Sequence, residues 1–265
     1  SHPLFLFGGP CVLESEDHAL SLAKQIKEVC DSMGIPYVFK SSYDKANRSS
    51  LDSYRGPGFP LGLQILENIR HKLSVPVLSD IHETTQVEKA AQVLDVLQIP
   101  AFLCRQTDLL IEAARTGKPI NIKKGQFIAP RDMKNIVDKI LSQGTQNIIL
   151  TERGTSFGYN TLFFDVRSIP IMKKLGFPVV IDASHSVQKP GGEGTHSGGE
   201  SEFIPHIAAA GIASGADGVF IEIHDNPLEA LSDGLNSLHI NNLRSVLGSL
   251  LRIKKAIHAE EKAHE

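Results

Sequence analysis

The stretch Asp217–His224 reads DGVFIEIH: a short run of apolar, mostly β-branched residues follows a glycine and carries two polar side chains, Glu222 and His224, near its end. A run of this length and composition is typical of a buried strand. Similar runs, each bounded by turn residues, recur along the chain at Leu4–Gly9, Tyr37–Ser42, Val75–Ile81, Asp95–Ala101, Pro119–Lys124, Asn147–Arg153 and Pro178–Ser184. Together they predict eight buried strands.

Segments with helical periodicity lie between these runs. In His18–Ser32 the apolar residues recur at the spacing of one helix face, and they are Ala19, Leu22, Ala23, Ile26, Val29 and Cys30. Further helices are predicted at Gly62–Lys72, Thr85–Gln92, Thr107–Thr116, Arg131–Ser142, Ser201–Gly215 and Asn241–Ala263. Strands that alternate with helices predict parallel βαβ units, and eight such units favour closure into a (β/α)8 barrel, the TIM barrel.

The alternative is an open, doubly wound parallel sheet. Such sheets often carry a Gly-x-Gly-x-x-Gly turn after the first strand, and no such turn follows Leu4–Gly9. The length of 265 residues also fits a barrel, which typically takes about 250 residues. Because no linker, repeat or low-complexity tract interrupts the pattern, we expect one α/β catalytic domain, a (β/α)8 barrel over residues 1–265.

The composition disfavours several classes of partner. A net charge of −3, without a basic arm, argues against nucleic acid or an anionic membrane as the main partner. No apolar run approaches the roughly 20 residues of a membrane helix, and residues 1–5 lack the features of a signal peptide. Three widely spaced cysteines, Cys11, Cys30 and Cys104, do not suggest a disulfide framework, and the last two are predicted to be core thiols. We therefore expect a cytoplasmic protein that acts on small molecules.

Basic residues collect where the predicted strands end, which is where barrel enzymes place their chemistry. They are Lys40, Lys45, Arg48, Arg105, Lys123, Lys124 and Arg153. Cations gathered at one end of a barrel favour phosphate or carboxylate ligands, and their number suits two anionic substrates or one bisphosphate. The alternative is that some of them form ion pairs with Asp44, Asp80 and Glu152.

A thiol, an imidazole and two carboxylates form a second candidate group. Cys11, His185 and Glu222 follow the first, seventh and eighth strands, which become neighbours when a barrel closes, and Asp233 lies in the next loop. Such a set suits a divalent ion of Zn, Fe, Mn or Co. A cysteine such as Cys11, taken by itself, is more often a small buried apolar side chain than a metal ligand.

Residues 188–200 contain the stretch PGGEGTHSGG, which is too rich in glycine for a regular helix or strand. One interpretation is a flexible surface connection. The other is a mobile lid after the seventh strand, where barrel enzymes close over their substrates.

Seven stretches, spread in order from Gly8 to about Asp233, carry a resemblance to a known family. They are KSSYDKANRSS (40–50), SYRGPG (53–58), SDIHE (79–83), QIPAFLCRQTD (98–108), NIKKGQF (121–127), TERGTSFGYN (151–160) and DASHSVQ (182–188). The chain resembles the 3-deoxy-D-manno-octulosonate 8-phosphate synthases. The resemblance implies a barrel transferase that condenses phosphoenolpyruvate with D-arabinose 5-phosphate and water and releases inorganic phosphate, a step towards Kdo and lipopolysaccharide.

The same resemblance implies roles for individual residues. Family members with Cys after the first strand depend on a divalent metal, whereas members with Asn there do not, and the stretch GPCVLES (9–15) is similar to the first branch. The implied metal ligands are Cys11, His185, Glu222 and Asp233. The implied catalytic residues are Lys45, Asp80, His82, Lys123 and His185. The implied substrate contacts are Lys40, Asn47, Arg48, Ser49, Gln98, Ala101, Phe102, Arg105, Gln126 and Arg153.

The two substrates are expected at different parts of this set. The resemblance places phosphoenolpyruvate among Lys45, Lys123, Gln126 and Arg153, and arabinose 5-phosphate among Asn47, Arg48 and Ser49. It also implies a homotetramer, in which Arg105 reaches the sugar phosphate held in a neighbouring subunit's site.

Two alternatives stay open, and one departure from the family is visible. The related synthase that uses erythrose 4-phosphate has Lys-Pro-Arg-Thr-Ser after its second strand, where this chain has KANRS (45–49). A non-catalytic barrel that binds sugar phosphates is expected to have lost a cation or a metal ligand, and none is missing from this sequence. Ser201 stands in the Gly-rich segment where family members often have Arg, so the chemistry of that segment is not implied by the resemblance.

Overall fold

A computed structural model describes residues 3–48, 50–193 and 196–263 of the chain. Its centre is a set of eight strands: β1 Phe5–Gly9, β2 Tyr37–Lys40, β3 Val77–Asp80, β4 Val96–Ile99, β5 Ile120–Lys123, β6 Ile148–Glu152, β7 Val179–Asp182 and β8 Gly218–His224. Each strand lies inside the run predicted for it, so the pattern of short apolar runs located all eight.

The strands pair in parallel and in chain order, and the sheet closes on itself. β1 pairs with β8 along its whole length, from Phe5 opposite Gly218 to Gly9 opposite Glu222. A two-residue strand, Leu238–His239, continues the sheet beyond β8. The predicted (β/α)8 barrel is therefore confirmed, and the open doubly wound sheet is excluded.

Eight helices cover the outside of the barrel. They are α1 Glu16–Met33, α2 Phe59–Leu73, α3 Thr84–Val93, α4 Thr107–Arg115, α5 Met133–Leu141, α6 Ser168–Lys173, α7 Ile204–Ala213 and α8 Ile240–Ala263. The first helix shows the capping residues that are usual at helix ends. The Ser15 hydroxyl accepts a hydrogen bond from the His18 backbone at the start of α1, and Gly34 ends that helix at a φ of 66°. Within the described residues, no helix is long and apolar enough to cross a membrane.

The helix predictions differ from the structure at three helices. α6 was not predicted, because its six residues, SIPIMK, are too few to display a helical period and include a proline. The helices predicted from Arg131 and Ser201 begin later, since short 3-10 turns, Pro130–Asp132 and Ser201–Phe203, precede α5 and α7.

The inside of the barrel is apolar at its amino end and polar at its carboxyl end. A small core of Phe7, Leu78, Val96, Val180 and Phe220 fills the lower part. Because side chains two residues apart on a strand share a face, the inward positions that follow these residues hold polar groups. Those buried groups include Asp80, Gln98, Asp182 and Glu222. This change of polarity places the candidate site at the carboxyl end.

The Gly-rich segment after β7 forms a hairpin, so the prediction that it could not form a strand was wrong. Gln188–Glu193 pairs antiparallel with His196–Gly199, with an irregular register after Lys189. A two-stranded ribbon is held by backbone hydrogen bonds, which glycine supplies as well as any other residue. Residues 194 and 195 lie outside the described residues.

Candidate active site

A cavity of about 700 Å³ opens at the carboxyl end of the barrel, within the range of roughly 300–1,000 Å³ that is usual for small-molecule sites. Most of the residues predicted to act there line it: Lys40, Lys45, Asn47, Arg48, Asp80, His82, Ala101, Phe102, Lys123, Gln126, Arg153, His185 and Asp233. The topology of the barrel thus brings together side chains that are up to 193 positions apart in the sequence, from Lys40 to Asp233.

Other predicted residues stand apart from the cavity wall. Cys11 and Glu222 are buried directly behind it, and Gln98 is buried behind Asp80. Arg105 is exposed outside it. Ser49 lies outside the described residues.

A buried pair of charges forms part of the cavity floor. The Lys123 ammonium lies 2.6 Å from a carboxylate oxygen of Asp182 and 4.0 Å from the centre of the Phe220 ring. The same carboxylate faces His185 Nδ1 at 2.7 Å. Burial by itself would raise the pKa of Asp182, but His185 and Lys123 outweigh it and hold that pKa below its usual range. Asp182 therefore fixes the imidazole with its Nδ1 towards the carboxylate and its Nε2 towards Glu222.

Asp182 received no role from the sequence analysis. The signal for it was present, because Asp182 and His185 stand three residues apart at the end of a buried strand. An inward carboxylate at such a position needs a buried partner.

The thiol and carboxylates predicted to bind metal converge beside this pair. Ligand atoms of Cys11, Glu222 and Asp233 all lie within 4.8 Å of one another. His185 Nε2 lies 3.4 Å from a Glu222 oxygen and 3.9 Å from an Asp233 oxygen. Lys40 approaches the group from the barrel side, with its ammonium 3.2 Å from Glu222.

The chemistry of these four residues fits a divalent ion. One carboxylate oxygen of Glu222, Oε2, is buried without a hydrogen-bond partner among the described residues. Burial and then the charges of Asp233 and Glu222 raise the pKa of the Cys11 thiol to about 12. A cation placed among them would neutralise the carboxylates and take the thiolate as a ligand, since sulfur, imidazole nitrogen and carboxylate oxygen together suit Zn²⁺ and its neighbours.

A second group of possible ligands is engaged mainly in hydrogen bonds, although His18 Nδ1 is buried without a partner among the described residues. Ligand atoms of Glu14, His18 and His224 lie within 4.8 Å of one another. However, His224 Nδ1 accepts from the Asn226 backbone at 2.9 Å, which leaves the ring proton on Nε2, 3.3 Å from Glu14. His18 Nε2 lies 2.9 Å from Asp225. We therefore assign this group to the support of the loops after β1 and β8.

One end of the cavity presents a buried donor that lacks an acceptor among the described residues. The Arg153 side chain is 4% exposed; its Nη2 donates to Gln188 Oε1 at 3.1 Å, whereas Nη1 is buried with no partner in the described part of the chain. Lys123 and Gln126 line the same cavity. A buried guanidinium with an unused donor is suited to an anionic ligand.

A second cation stands on the opposite wall, in the loop after β2. Arg48 Nε donates to the Tyr54 carbonyl at 3.3 Å, and its guanidinium contacts the Ser232 hydroxyl and lies 3.9 Å from Asp233. Ser232 in turn lies 3.0 Å from the Cys11 sulfur. Arg48 thus connects the rim of the cavity to the thiol–carboxylate group.

A chain of hydrogen bonds crosses the barrel beneath the cavity. Asp80 accepts from Ser42 at 2.6 Å and from Gln98 at 2.7 Å. Gln98 accepts from Asn121 at 2.8 Å, which accepts from Thr151 at 2.6 Å. Gln98 therefore orients Asp80 and is not among the residues that line the cavity, and its role as a substrate contact stays a prediction.

Of the three acids predicted as alternative ion-pair partners of the basic residues, Glu152 alone pairs with one of them in the described structure. Lys124 does not line the cavity; its ammonium is fully buried behind it, 3.5 Å from Glu152. The other two acids have different partners, since Asp44 pairs with Arg55 at 2.5 Å and Asp80 belongs to the chain of hydrogen bonds. The prediction that Lys124 adds a positive charge to the cavity was wrong.

Comparison with known proteins places this geometry in a family. The chain matches the model of the DAHP synthetase I family over residues 1–259. It is 58% identical to a "2-dehydro-3-deoxyphosphooctonate aldolase" from a Cyanothece species over 96% of this chain and 93% of that protein. It is 56% identical to a protein of the same name from a Geobacter species, over 97% and 94% of the two chains, and 55% identical to one from a Synechococcus species, over 96% and 90%. The chain therefore belongs to the DAHP synthetase I family, together with relatives that carry the name 2-dehydro-3-deoxyphosphooctonate aldolase.

Proposed function

We propose that this protein condenses phosphoenolpyruvate with D-arabinose 5-phosphate and water to form 3-deoxy-D-manno-octulosonate 8-phosphate and inorganic phosphate. The name of the relatives denotes a phosphate of the same 3-deoxy-2-keto eight-carbon acid. The observation that carries the proposal is the cavity itself, which holds a buried, incompletely bonded Arg153 at one wall and Arg48 at another. Two separate basic groups suit a reaction that joins two phosphorylated substrates.

In this proposal phosphoenolpyruvate binds at the wall of the cavity that carries Arg153. Arg153 Nη1 donates to an oxygen of its phosphate or carboxylate, and Lys123 and Gln126 line the same wall. Lys45 completes the site: burial lowers its pKa, but nearby acidic groups, among them the carboxylates of Glu222 and Asp80, outweigh burial and raise that pKa, so the side chain stays an ammonium. Cations at fixed positions offset the repulsion between two anionic substrates brought together in a cavity with little water.

Arabinose 5-phosphate binds nearer the rim, along the loop after β2. Asn47 and Arg48 line that part of the cavity. Ser49, which lies outside the described residues, is the third contact that we propose for this sugar phosphate. The aldehyde end then points inward, towards Asp80 and His82 and the group around Cys11.

The bond-forming step joins C3 of phosphoenolpyruvate to the aldehyde carbon of the sugar. Water adds to C2, and the proton that it loses balances the proton gained by the aldehyde oxygen. The C2 hydroxyl then gives up its proton to form the 2-keto group as the C2–O bond to phosphate breaks, and that proton leaves with inorganic phosphate. His82 is the residue that we propose for proton transfer: it lines the cavity, burial lowers its pKa, and its Nδ1 has no hydrogen-bond partner within the described chain. His185 has both ring nitrogens engaged, by Asp182 and by the metal group, so its role is to hold that group.

Cys11, His185, Glu222 and Asp233 hold a divalent ion, of Zn, Fe, Mn or Co, in this proposal. An ion held by these residues would supply Lewis acidity next to the aldehyde and the attacking water. Asp182 keeps the His185 ring in place for this role, and Lys40 balances the charge of Glu222.

A homotetramer in the cytoplasm is the remaining part of the proposal. Arg105 is exposed outside the cavity of its own subunit, and two phenylalanines, Phe102 after β4 and Phe127 after β5, are each 56% exposed. Exposed aromatic side chains of this kind are typical of subunit interfaces. Arg105 would there contribute its guanidinium to the sugar phosphate in a neighbouring site.

The test is a phosphate-release assay on the purified protein with different sugar phosphates. We expect release to require both phosphoenolpyruvate and a sugar, and kcat/KM to be much higher for arabinose 5-phosphate than for erythrose 4-phosphate. A preference for erythrose 4-phosphate would assign the chain to the related seven-carbon synthase. Binding of both ligands without release would identify a non-catalytic barrel.

A further inference from the structure

Lys124 is a fully buried cation that the proposed reaction does not use. It follows β5, where the inward side chains are Asn121 and Lys123, so the alternation of the strand turns Lys124 out of the barrel. Its ammonium nevertheless does not reach solvent, because the loops after β5 and β6 close over it.

Oxygen atoms surround this ammonium on several sides. Nζ lies 2.9 Å from the Thr155 hydroxyl, 3.2 Å from the Gly125 carbonyl, 3.3 Å from the Gly154 carbonyl and 3.4 Å from the Ile128 carbonyl. Carbonyl oxygens only accept, so three carbonyls within reach require N–H donors, and an ammonium has three whereas a neutral amine has two. Burial lowers the pKa of Lys124, while the nearby Glu152 carboxylate opposes that shift.

These contacts join two loops that carry proposed phosphoenolpyruvate ligands. Gly125 and Ile128 bracket Gln126, and Gly154 directly follows Arg153. Gly154 adopts a φ of 91°, a conformation that suits glycine.

Glu152 continues the same connection. Its Oε1 accepts from the backbone N–H groups of Arg153 at 2.9 Å and Gly154 at 2.6 Å, and it lies 3.5 Å from the Lys124 ammonium. The Ser156 backbone also donates to the Gln126 carbonyl at 3.0 Å, so the two loops are joined on both sides of Lys124.

We propose that Lys124, paired with Glu152, is a positioning residue that sets the separation of Gln126 and Arg153 and thereby the affinity for phosphoenolpyruvate. It acts through those two residues and contacts no substrate. The inference rests on the proposed function, because it takes the Arg153 wall as the phosphoenolpyruvate site.

Two substitutions, at Lys124 and at Glu152, distinguish an effect on the position of Gln126 and Arg153 from an effect on the stability of the fold. Lys124→Met leaves Glu152 as an unpaired buried charge and should lower Tm by roughly 5–15 °C. Adding Glu152→Gln removes that charge while the amide oxygen can still accept from the Arg153 and Gly154 backbones. Replacing a whole buried ion pair by neutral groups is often close to neutral for stability, so the double variant should regain most of the lost Tm.

The experiment measures binding of phosphoenolpyruvate alone by calorimetry, together with KM for both substrates, in four proteins: wild type, Lys124→Met, Lys124→Met/Glu152→Gln and a surface control. The control is Lys134→Met, which removes an exposed lysine that pairs with Asp138 at 2.6 Å. We expect the Kd for phosphoenolpyruvate to rise about tenfold or more in both Lys124 variants, with KM for arabinose 5-phosphate within about twofold and the control unchanged.

A milder variant covers the case in which Lys124→Met does not fold. Thr155→Val removes only the hydroxyl that lies 2.9 Å from the ammonium, and it should raise the Kd for phosphoenolpyruvate by about threefold. Recovery of both Tm and phosphoenolpyruvate affinity in the double variant would overturn the inference, as would equal rises in the KM of both substrates. Failure of the wild-type protein to bind phosphoenolpyruvate would instead overturn the proposed function on which the inference rests.

Discussion

Replacing Arg153 by Met should distinguish the two substrate sites, because it should weaken the binding of phosphoenolpyruvate and not that of arabinose 5-phosphate. The substitution keeps an apolar stem and removes the guanidinium, whose Nη2 is bonded to Gln188 and whose Nη1 has no partner in the described structure. In the free protein the change removes the side-chain hydrogen bond to Gln188 and the attraction of the guanidinium to the Asp182 and Glu152 carboxylates. In the complex it leaves an anion of phosphoenolpyruvate without its buried cation.

The size of the effect follows from that burial. Truncating one partner of a buried, hydrogen-bonded charge pair costs about 2–5 kcal/mol, and Arg153 is 4% exposed, so solvent cannot replace it. With about 1.4 kcal/mol for each factor of ten, Kd for phosphoenolpyruvate should rise between roughly 30-fold and several thousand-fold. Titration calorimetry with phosphoenolpyruvate alone, and KM for each substrate, would measure the change.

Arg48→Met is the matched comparison on the opposite wall. It should weaken arabinose 5-phosphate and leave phosphoenolpyruvate binding nearly unchanged. Its penalty should shrink when unphosphorylated arabinose is the acceptor, because no phosphate is then left to lose its contact. Equal losses for both substrates in either variant, or an unchanged Arg48→Met penalty with arabinose, would refute this map of the cavity.

Three further predictions concern the metal, the assembly and the packing of the barrel. Dialysis against a strong chelator should abolish most activity and added divalent ions should restore it, whereas Cys11→Asn should retain partial activity without metal; full activity in protein shown to be metal-free by elemental analysis would contradict the ligand set. Arg105→Ala should raise KM for arabinose 5-phosphate much more than KM for phosphoenolpyruvate; equal effects on both KM values would indicate a role in the fold alone. The activity of the wild-type protein should fall when dilution dissociates it into monomers, with the dissociation measured by sedimentation. Gly211→Ala should destabilise by about 1–3 kcal/mol in denaturant unfolding, because the added Cβ would lie 2.5 Å from the Ile181 side chain. Gly248→Ala on α8 is its control: the nearest atoms lie 3.7 Å away, so it should be neutral or stabilising by up to about 1 kcal/mol, and equal losses in the two variants would contradict the packing argument.

The barrel could be predicted because its strands are buried on both faces. Runs such as Ile148–Glu152 and Val179–Asp182 are rich in apolar residues and are bounded by turn residues. Strands of this kind can therefore be located from the local sequence alone, without knowing which strands they pair with. The order of the sheet then follows from the alternation with helices. In contrast, α6 and the hairpin from Gln188 to Gly199 depend on tertiary contacts and backbone pairing that leave no period in the sequence.

The candidate site was predictable to the level of which strand end carries which group. Closure of the barrel brings Cys11, His185 and Glu222 together, as their positions after the first, seventh and eighth strands indicated. The positions of the strand ends did not by themselves indicate which side chains line the cavity and which lie behind it. Lys124 and Gln98 show this, since both stand beside residues that line the cavity and yet lie behind it.

Alternation along the strand was the available signal for Lys124. Lys123 points inward, so the next residue must begin by pointing outward. The sequence contains no similar signal that pairs Asp182 with Lys123. Lys123 ends β5 and Asp182 ends β7, so their ion pair depends on the register of both strands with β6 between them.

The most direct test of the account is the fate of an oxygen label during turnover. Phosphoenolpyruvate labelled with ¹⁸O at the oxygen between C2 and phosphorus is incubated with the protein and arabinose 5-phosphate, and the masses of both products are measured by mass spectrometry. The account predicts one phosphate released for each sugar consumed, with the label in that phosphate, and a product whose mass equals both substrates plus water minus phosphate. Release of phosphate without the sugar, or retention of the label in the organic product, would contradict it.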